Sequence, residues 1–208
     1  MSFPVIPHAE TAFETQLLLK DLLPTFDFLN RTQEIIYGHH RFDYNMFRER
    51  IARLANALSV IGVEGGDTVA VLDWDSHRYL ECFFAIPMLG AILHTVNIRL
   101  STEQILYTIN DASDKVILIH EDFVPTAEKI RDRIETKPKW ILLKDEGKSV
   151  ESSIDFHNEY ENFLENSSNV IRFPEFDEKV PATTFYTTGT TGNPKGVCFS
   201  HRQLVIHT

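Results

Sequence analysis

Apolar residues follow a helical pattern and then a strand pattern in the first part of the chain. After Asp43, a residue type that caps helices, they recur at helical spacing, which predicts an amphipathic helix. Gly62 and the pair Gly65-Gly66 end this helix. The next segment, 68–72, is short and continuously apolar, as is typical of strands in a parallel sheet that is covered on both faces. The apolar face of the helix comprises Phe47, Ile51, Leu54, Ala55, Leu58 and Ile61.

The order of strand and helix then repeats as far as residue 143. Ser101 and Gln104 form the pattern of a capping box, which predicts a helix from there through Ile109. Repeated strand–helix units predict an α/β fold with a doubly wound, mostly parallel sheet and helices on both faces. The other elements predicted are helices near 78–89 and 126–135, and strands near 91–95, 116–119 and 140–143.

The chain changes character after residue 143. Residues 144–181 are more polar, and we predict one helix near 154–164 followed by an extended connection. An apolar strand, 182–186, then leads into a loop, a second apolar strand at 197–199 and a helix that begins near His201. We therefore divide the chain into an amino-terminal segment, 1–36, an α/β subdomain, 37–180, and a loop region, 181–208, that begins a further subdomain.

Residues 1–36 include a helical apolar stripe. The stripe favours packing against the core, and contact with a second copy of the chain in a homodimer is the alternative. Its members are Phe13, Leu17, Leu18, Leu19, Leu22 and Leu23.

The most informative segment is the loop from Thr187 to Gly196. Its glycines allow close approach of the backbone to a ligand, and consecutive free amides form a concavity that binds anions. Hydroxyl groups and a lysine ammonium add further donors, so the segment is suited to a polyphosphate. It is neither a Walker A loop nor a dinucleotide fingerprint, because the spacing of glycine and lysine differs from both. The candidate phosphate-binding residues are Thr187, Thr188, Gly189, Thr190, Thr191, Gly192 and Lys195.

The run Phe185-Tyr186-Thr187-Thr188-Gly189-Thr190-Thr191-Gly192-Asn193-Pro194-Lys195-Gly196-Val197 resembles the signature loop of the adenylate-forming superfamily. Segments 74–81, 84–91, 94–100 and 173–178 are similar to the branch that activates medium- and long-chain fatty acids. The resemblance extends from about Tyr37 to Thr208 and is less clear before residue 37.

This resemblance implies the amino-terminal part of a fatty acyl-CoA synthetase. Such an enzyme joins a fatty acid to ATP, giving an acyl-adenylate and pyrophosphate, and coenzyme A then displaces AMP. Lys195 is expected to neutralise the phosphates, and Mg2+ is expected as a cofactor. The magnesium ligand, the adenine and ribose motifs, the main catalytic lysine and most of the acyl pocket would all follow Thr208. We therefore expect no metal ligand in this chain and no ligase activity from the chain alone.

Two alternatives remain open from the sequence. The first is another acid–AMP or acid–CoA ligase of the same superfamily, which the acyl pocket would distinguish. The second is a non-catalytic module that binds a partner or forms a dimer.

Composition excludes several classes of function. The formal net charge is -10, which argues against nucleic acid as a partner and against electrostatic attachment to anionic lipid, but not against apolar peripheral contact with a membrane. Glu10 and Glu14 interrupt any signal peptide, and the apolar run 82–93 is too short to span a bilayer. Cys82 and Cys198 lie in apolar stretches, so we expect two structural thiols and a cytoplasmic location.

Several other residues of reactive type have simpler interpretations. His94 lies at a strand end, where we expect a hydrogen-bonded structural histidine, and Trp74 is expected to pack rather than to line a cleft. His39-His40 lacks further ligands at metal spacing and is expected in a solvated turn.

Overall fold

A computed structural model describes residues 9, 15–27, 33–145, 147–188 and 192–207. One seven-stranded sheet forms the centre of the fold. Its strands are β3 (Thr68–Leu72), β4 (Ile92–Thr95), β5 (Val116–His120), β6 (Lys139–Leu143), β7 (Phe156–Glu159), β8 (Pro181–Thr187) and β9 (Lys195–Ser200). Their order in the sheet is β7-β6-β5-β3-β4-β8-β9. Every neighbouring pair is parallel except β8 and β9, which are antiparallel.

A separate antiparallel hairpin precedes the sheet, formed by β1 (Glu34–Tyr37) and β2 (His40–Asp43). Gly38 makes its turn with a positive φ of 57°, which a residue without a side chain adopts at little cost. The six α-helices of the described residues are α1 (Tyr44–Val60), α2 (His77–Met88), α3 (Thr102–Ala112), α4 (Val124–Ile130), α5 (Tyr160–Glu165) and α6 (His201–His207).

The helices cover both faces of the sheet, which confirms the predicted doubly wound α/β fold. In β3, Val69 and Val71 face a core shared with α1, α2 and α5. Ala70 and Leu72 face a second core shared with α3 and α4. Because side chains alternate along a strand, a strand covered on both sides is buried at every position, as β3 and β5 are, and most of their residues are apolar.

Local signals in the sequence placed several element ends correctly. The Asp43 side chain accepts from the backbone N–H of Met46 and caps α1. Ser101 and Gln104 form the complete capping box of α3. This helix continues to Ala112, three residues beyond the predicted end, and stops at Ser113 in the left-handed conformation.

The helix predicted near 154–164 is wrong in its first half. Residues 156–159 form β7, which pairs with β6 at the edge of the sheet, and only residues 160–165 are helical. Pairing with a distant strand therefore overrides local helical preference here. The helix predicted over 126–135 begins earlier, at Val124, and ends at Ile130, where a short 3-10 turn follows.

The described part of the amino-terminal stripe packs against the core. Residues 19–27 form a 3-10 helix rather than an α-helix, and Leu18, Leu19 and Leu23 are buried. Phe13 lies outside the described residues. The prediction that this segment packs as core is consistent with that burial, while self-association and the three-part division of the chain stay predictions.

The two cysteines differ in their surroundings. Cys82 is fully buried in α2, as expected of a structural thiol. Cys198 is exposed, so its predicted structural role is wrong. It lies on β9, the last strand in the sheet order of the described residues, where β8 is its neighbour.

Candidate phosphate-binding site

The threonine- and glycine-rich loop joins the ends of β8 and β9. Thr187 and Lys195 form the last residue pair of this hairpin, so the structure places them side by side at the mouth of the loop. Both side chains are exposed, as are Thr188 and Gly192. Gly192 has a φ of +108°, a conformation that strongly favours glycine. Gly189, Thr190 and Thr191 lie outside the described residues, so their predicted contacts stay predictions.

The loop emerges at the carboxyl edge of the sheet. β8 pairs in parallel with β4, which pairs in parallel with β3, so all three strands end on the same side. In open α/β sheets this edge is where ligands bind. The predicted donors at 187 and 195 therefore lie at the edge of the sheet where folds of this class bind ligands.

A cleft of about 400 Å³ lies beside the loop at this edge. Its walls come from the segments that follow β3 and β4 and from the end of β8. Its lining includes four aromatic side chains, two carboxylates, one guanidinium and one amide. Among the lining residues are Asp73, Trp74, Asp75, Asn97, Arg99 and Tyr186.

Tyr186, directly before Thr187, anchors the base of the loop. Its hydroxyl donates to Oδ2 of Asp111 on α3 over 2.8 Å. Burial, and then the carboxylate of Asp111, raise the pKa of Tyr186, so the hydroxyl remains a donor. The ring centroid lies 5.2 Å from that of His94.

His94 has the structural role predicted for it. Its Nδ1 lies 2.7 Å from Oδ2 of Asp114, and both residues are fully buried. Burial raises the pKa of Asp114, and the adjacent histidine opposes that shift. The pair connects the end of α3 to β4, beneath the loop.

The family of AMP-binding enzymes matches residues 29–208. The chain belongs to this family. A long-chain-fatty-acid–CoA ligase of Thermus thermophilus is 39% identical over 169 residues, which are 81% of this chain and 30% of that protein. A medium-chain-fatty-acid–CoA ligase of Ectopseudomonas oleovorans is 35% identical over 159 residues, 76% of this chain and 29% of that protein.

The fold is also shared with a solved CoA ligase. The structure of the anthranilate CoA ligase AuaEII in complex with anthranoyl-AMP has a TM-score of 0.80 and is 21% identical, over 91% of this chain and 36% of that one. The present chain thus spans about a third of the length of the relatives it matches. The adenylate-forming resemblance found in the loop is confirmed.

In this AMP-binding chain the sheet order changes direction between β3 and β5, and a second polar cluster lies there. Asp73 follows β3, His120 ends β5 and Asp145 follows β6. Arg78 joins the last of these, donating to Oδ1 of Asp145 over 3.1 Å and to the carbonyl of Lys144 over 2.8 Å. Although burial opposes it, the charge of Arg78 lowers the pKa of Asp145. Sequence reasoning missed this cluster, because its members come from three separate strands.

Three side chains of metal-ligating type lie with their ligand atoms within 4.8 Å of one another: His120, Glu121 and Asp145. The histidine is nevertheless unsuited to a metal. Its Nδ1 accepts from the backbone N–H of Asp122 over 3.2 Å, so the neutral ring has its proton on Nε2, the nitrogen on the side of Asp145. The ammonium of Lys148 already pairs with the carboxylate of Glu121. We interpret the cluster as an ion-pair network of the AMP-binding fold.

Trp74 both packs and lines the cleft. The ring centroid lies 5.0 Å from that of Phe123, and Nε1 donates to Oδ2 of Asp122 over 2.8 Å. Trp74 is nevertheless 46% exposed, and it lines the cleft described above. The expectation that it packs rather than lines a cleft is therefore only half right.

His39 and His40 do not share one environment. His39 lies in the exposed turn of the hairpin, as predicted. His40 belongs to β2, where its ring stacks with Phe42 and tilts against His77. The prediction of a solvated turn is wrong for His40, because this residue begins the second strand of a hairpin that was not predicted from the sequence.

The residues of the AMP-binding chain at the loop mouth suit an anion. The described part of the loop offers hydroxyls at 187 and 188, backbone amides and the Lys195 ammonium. These donors fit phosphate oxygens, whereas Mg2+ prefers oxygen ligands of carboxylates and phosphates. None of the helices in the described ranges combines the length and the apolar character needed to cross a bilayer.

Proposed function

We propose that the gene product containing this chain is a fatty-acid–CoA ligase that forms AMP, and that this chain supplies its phosphate-binding loop. The observation on which the proposal rests is the placement of Thr187 and Lys195 side by side at the carboxyl edge of the sheet, in a chain of the AMP-binding family. The names of the matched relatives support a medium- or long-chain fatty acid as the substrate.

The reaction sets clear requirements for this loop. A carboxylate oxygen attacks the α-phosphorus of ATP, a new O–P bond forms, and the bond to pyrophosphate breaks. Negative charge accumulates on the departing pyrophosphate, so donors fixed around the β- and γ-phosphates lower the barrier. In this chain the hydroxyls of Thr187 and Thr188, the loop amides and the Lys195 ammonium would supply those donors. A hydrogen bond to a charged group contributes about 1.5–3 kcal/mol.

Mg2+, when bound, would neutralise phosphate charge, and the ligands for it are proposed to lie outside this chain. The second half-reaction breaks the acyl–phosphate bond: the thiol of coenzyme A attacks the acyl carbon and AMP leaves. The cleft that is lined by Trp74 and Tyr186 adjoins the loop and is the place in this chain where the acid or the adenylate would contact it.

An assay of the complete gene product with ATP, coenzyme A and a panel of acids tests the proposal. Octanoate, laurate and palmitate should yield AMP and the acyl-CoA, with benzoate and butyrate poorer. Preference for benzoate would favour an aryl-acid ligase, and acyl-AMP without acyl-CoA would favour an acyl-AMP ligase. Absence of AMP with every acid would favour the non-catalytic module and refute the proposal.

We further propose that the 208-residue chain alone lacks ligase activity and binds ATP weakly. The support is its span of only 30% of the Thermus relative. Turnover of laurate to lauroyl-CoA by the purified chain, or micromolar ATP affinity by calorimetry, would contradict this. A cytoplasmic location, peripheral membrane contact and a homodimer also stay proposals; sedimentation at several concentrations tests the last.

A further inference from the structure

The ring of Tyr186 lies between the phosphate loop and the rest of the fold. On β9 it faces Gly196, its partner in the hairpin register. A β-carbon at position 196 would lie 3.4 Å from the ring, so the ring rests directly on the strand backbone. Lys195 is the residue that directly precedes Gly196 in that strand. The position of the lysine is therefore tied to the position of the tyrosine ring.

The tyrosine is fixed in turn by α3. The hydroxyl–carboxylate bond from Tyr186 to Oδ2 of Asp111 spans 2.8 Å, and the residue Tyr186 is 8% exposed. A hydrogen bond to an ionised acceptor is shorter and stronger than one between neutral groups. Asp111 is 75 positions away in sequence, so this bond joins the loop base to a distant element, α3.

We propose that Asp111 is a positioning residue for ATP binding, acting through Tyr186 to fix the strand that holds Lys195. This inference rests on the proposed function of the loop. Without the bond, the ring is free to tilt away from Gly196, and the first residues of β9 lose their support. The triphosphate then has to order the loop on binding, which weakens its affinity.

Three variants of the complete gene product test the inference. Tyr186→Phe removes only the hydroxyl, and Asp111→Leu removes the acceptor together with its charge. In both we expect the KM for ATP to rise about tenfold, equivalent to about 1.4 kcal/mol, with the KM for coenzyme A unchanged. Asp111→Asn retains an oxygen that accepts the hydroxyl proton, and its KM for ATP should stay within about twofold of wild type.

A tyrosine far from the loop provides the matched control. The hydroxyl of Tyr160 donates to Oε2 of the buried Glu81 over 2.6 Å. Tyr160 directly follows β7, which lies at the opposite edge of the sheet from the loop strands β8 and β9. Tyr160→Phe should lower stability while leaving the KM for ATP unchanged. The inference is overturned if Tyr186→Phe leaves that KM unchanged, or if Tyr160→Phe raises it equally.

Hydrogen exchange of the 208-residue chain separates this inference from the proposed function. Tyr186→Phe should speed exchange at the amides of residues 195–198 about tenfold, and Tyr160→Phe should not. If the wild-type gene product makes no adenylate, the proposed function fails and this measurement alone decides the inference. Unchanged exchange at residues 195–198 overturns it.

Discussion

The guanidinium of Arg50 donates to the carboxylate of Glu81 over 2.7 Å, and that carboxylate is fully buried. Arg50 extends from α1 and also forks onto Glu161 of α5, at 2.7 and 2.9 Å. Burial raises the pKa of Glu81, and the charge of Arg50 opposes this. One arginine thus joins three helices on the same face of the sheet.

We predict that Arg50→Ala destabilises the chain by about 3–5 kcal/mol, because it leaves a buried carboxylate without its counter-ion. Denaturant unfolding measures the change. Arg41→Ala is the matched control: its pair with Glu34 is exposed, so about 0–1 kcal/mol is expected. Equal losses of unfolding free energy in the two variants would contradict the prediction, because the buried pair would then contribute no more to stability than the exposed one.

A pH-dependent loss of stability is predicted for His201, the first residue of α6. Burial lowers its pKa to about 4, and its Nδ1 accepts from the backbone N–H of Leu19 over 3.3 Å. Well above pH 6.5, the ordinary pKa of histidine, the ring is neutral in both the folded and the unfolded chain, and the stabilisation is complete. As pH falls toward 4, the unfolded chain takes up the proton first, so stability declines.

Unfolding curves for wild type and His201→Asn over this pH range isolate the effect. The asparagine can still accept from Leu19 but does not titrate, so its stability should vary less with pH than that of wild type. Parallel curves for the two proteins would contradict the assignment.

Ser101→Ala removes one half of the capping box of α3. Its Oγ accepts from the backbone N–H of Gln104 over 3.3 Å. We expect a loss of about 1 kcal/mol in the free energy of unfolding. Ser59→Ala, at an exposed position in α1, is the control and should change stability by no more than about 0.5 kcal/mol. A neutral Ser101→Ala would mean that the box adds nothing to the helix.

Features that depend on neighbouring residues could be predicted from the sequence. The Asp43 cap, the capping box at 101–104 and the apolar strand at 68–72 are each encoded within a few positions, and the structure confirms all three. The loop at 187–196 was identified in the same way, because its glycines and threonines are consecutive.

Features that depend on pairing between separate segments could not be predicted from the sequence. β7 exists because residues 156–159 find an open edge of β6, which local periodicity does not reveal. The cluster of Asp73, His120 and Asp145 forms only when three strands come into register. The bond between Tyr186 and Asp111 likewise joins elements whose proximity follows from the sheet order.

The central claim is that Lys195 and the loop hydroxyls hold the departing pyrophosphate. Single-turnover formation of the acyl-adenylate by the complete gene product tests it most directly. We compare wild type with Lys195→Ala and with a variant that also replaces threonines 187, 188, 190 and 191 by alanine. The control is Lys179→Ala, because Lys179 is an exposed lysine outside the loop. We predict a rate at least about 100-fold lower for Lys195→Ala, a further loss with the threonines, and no change for Lys179→Ala. Adenylate formation at the wild-type rate in both loop variants would contradict the account.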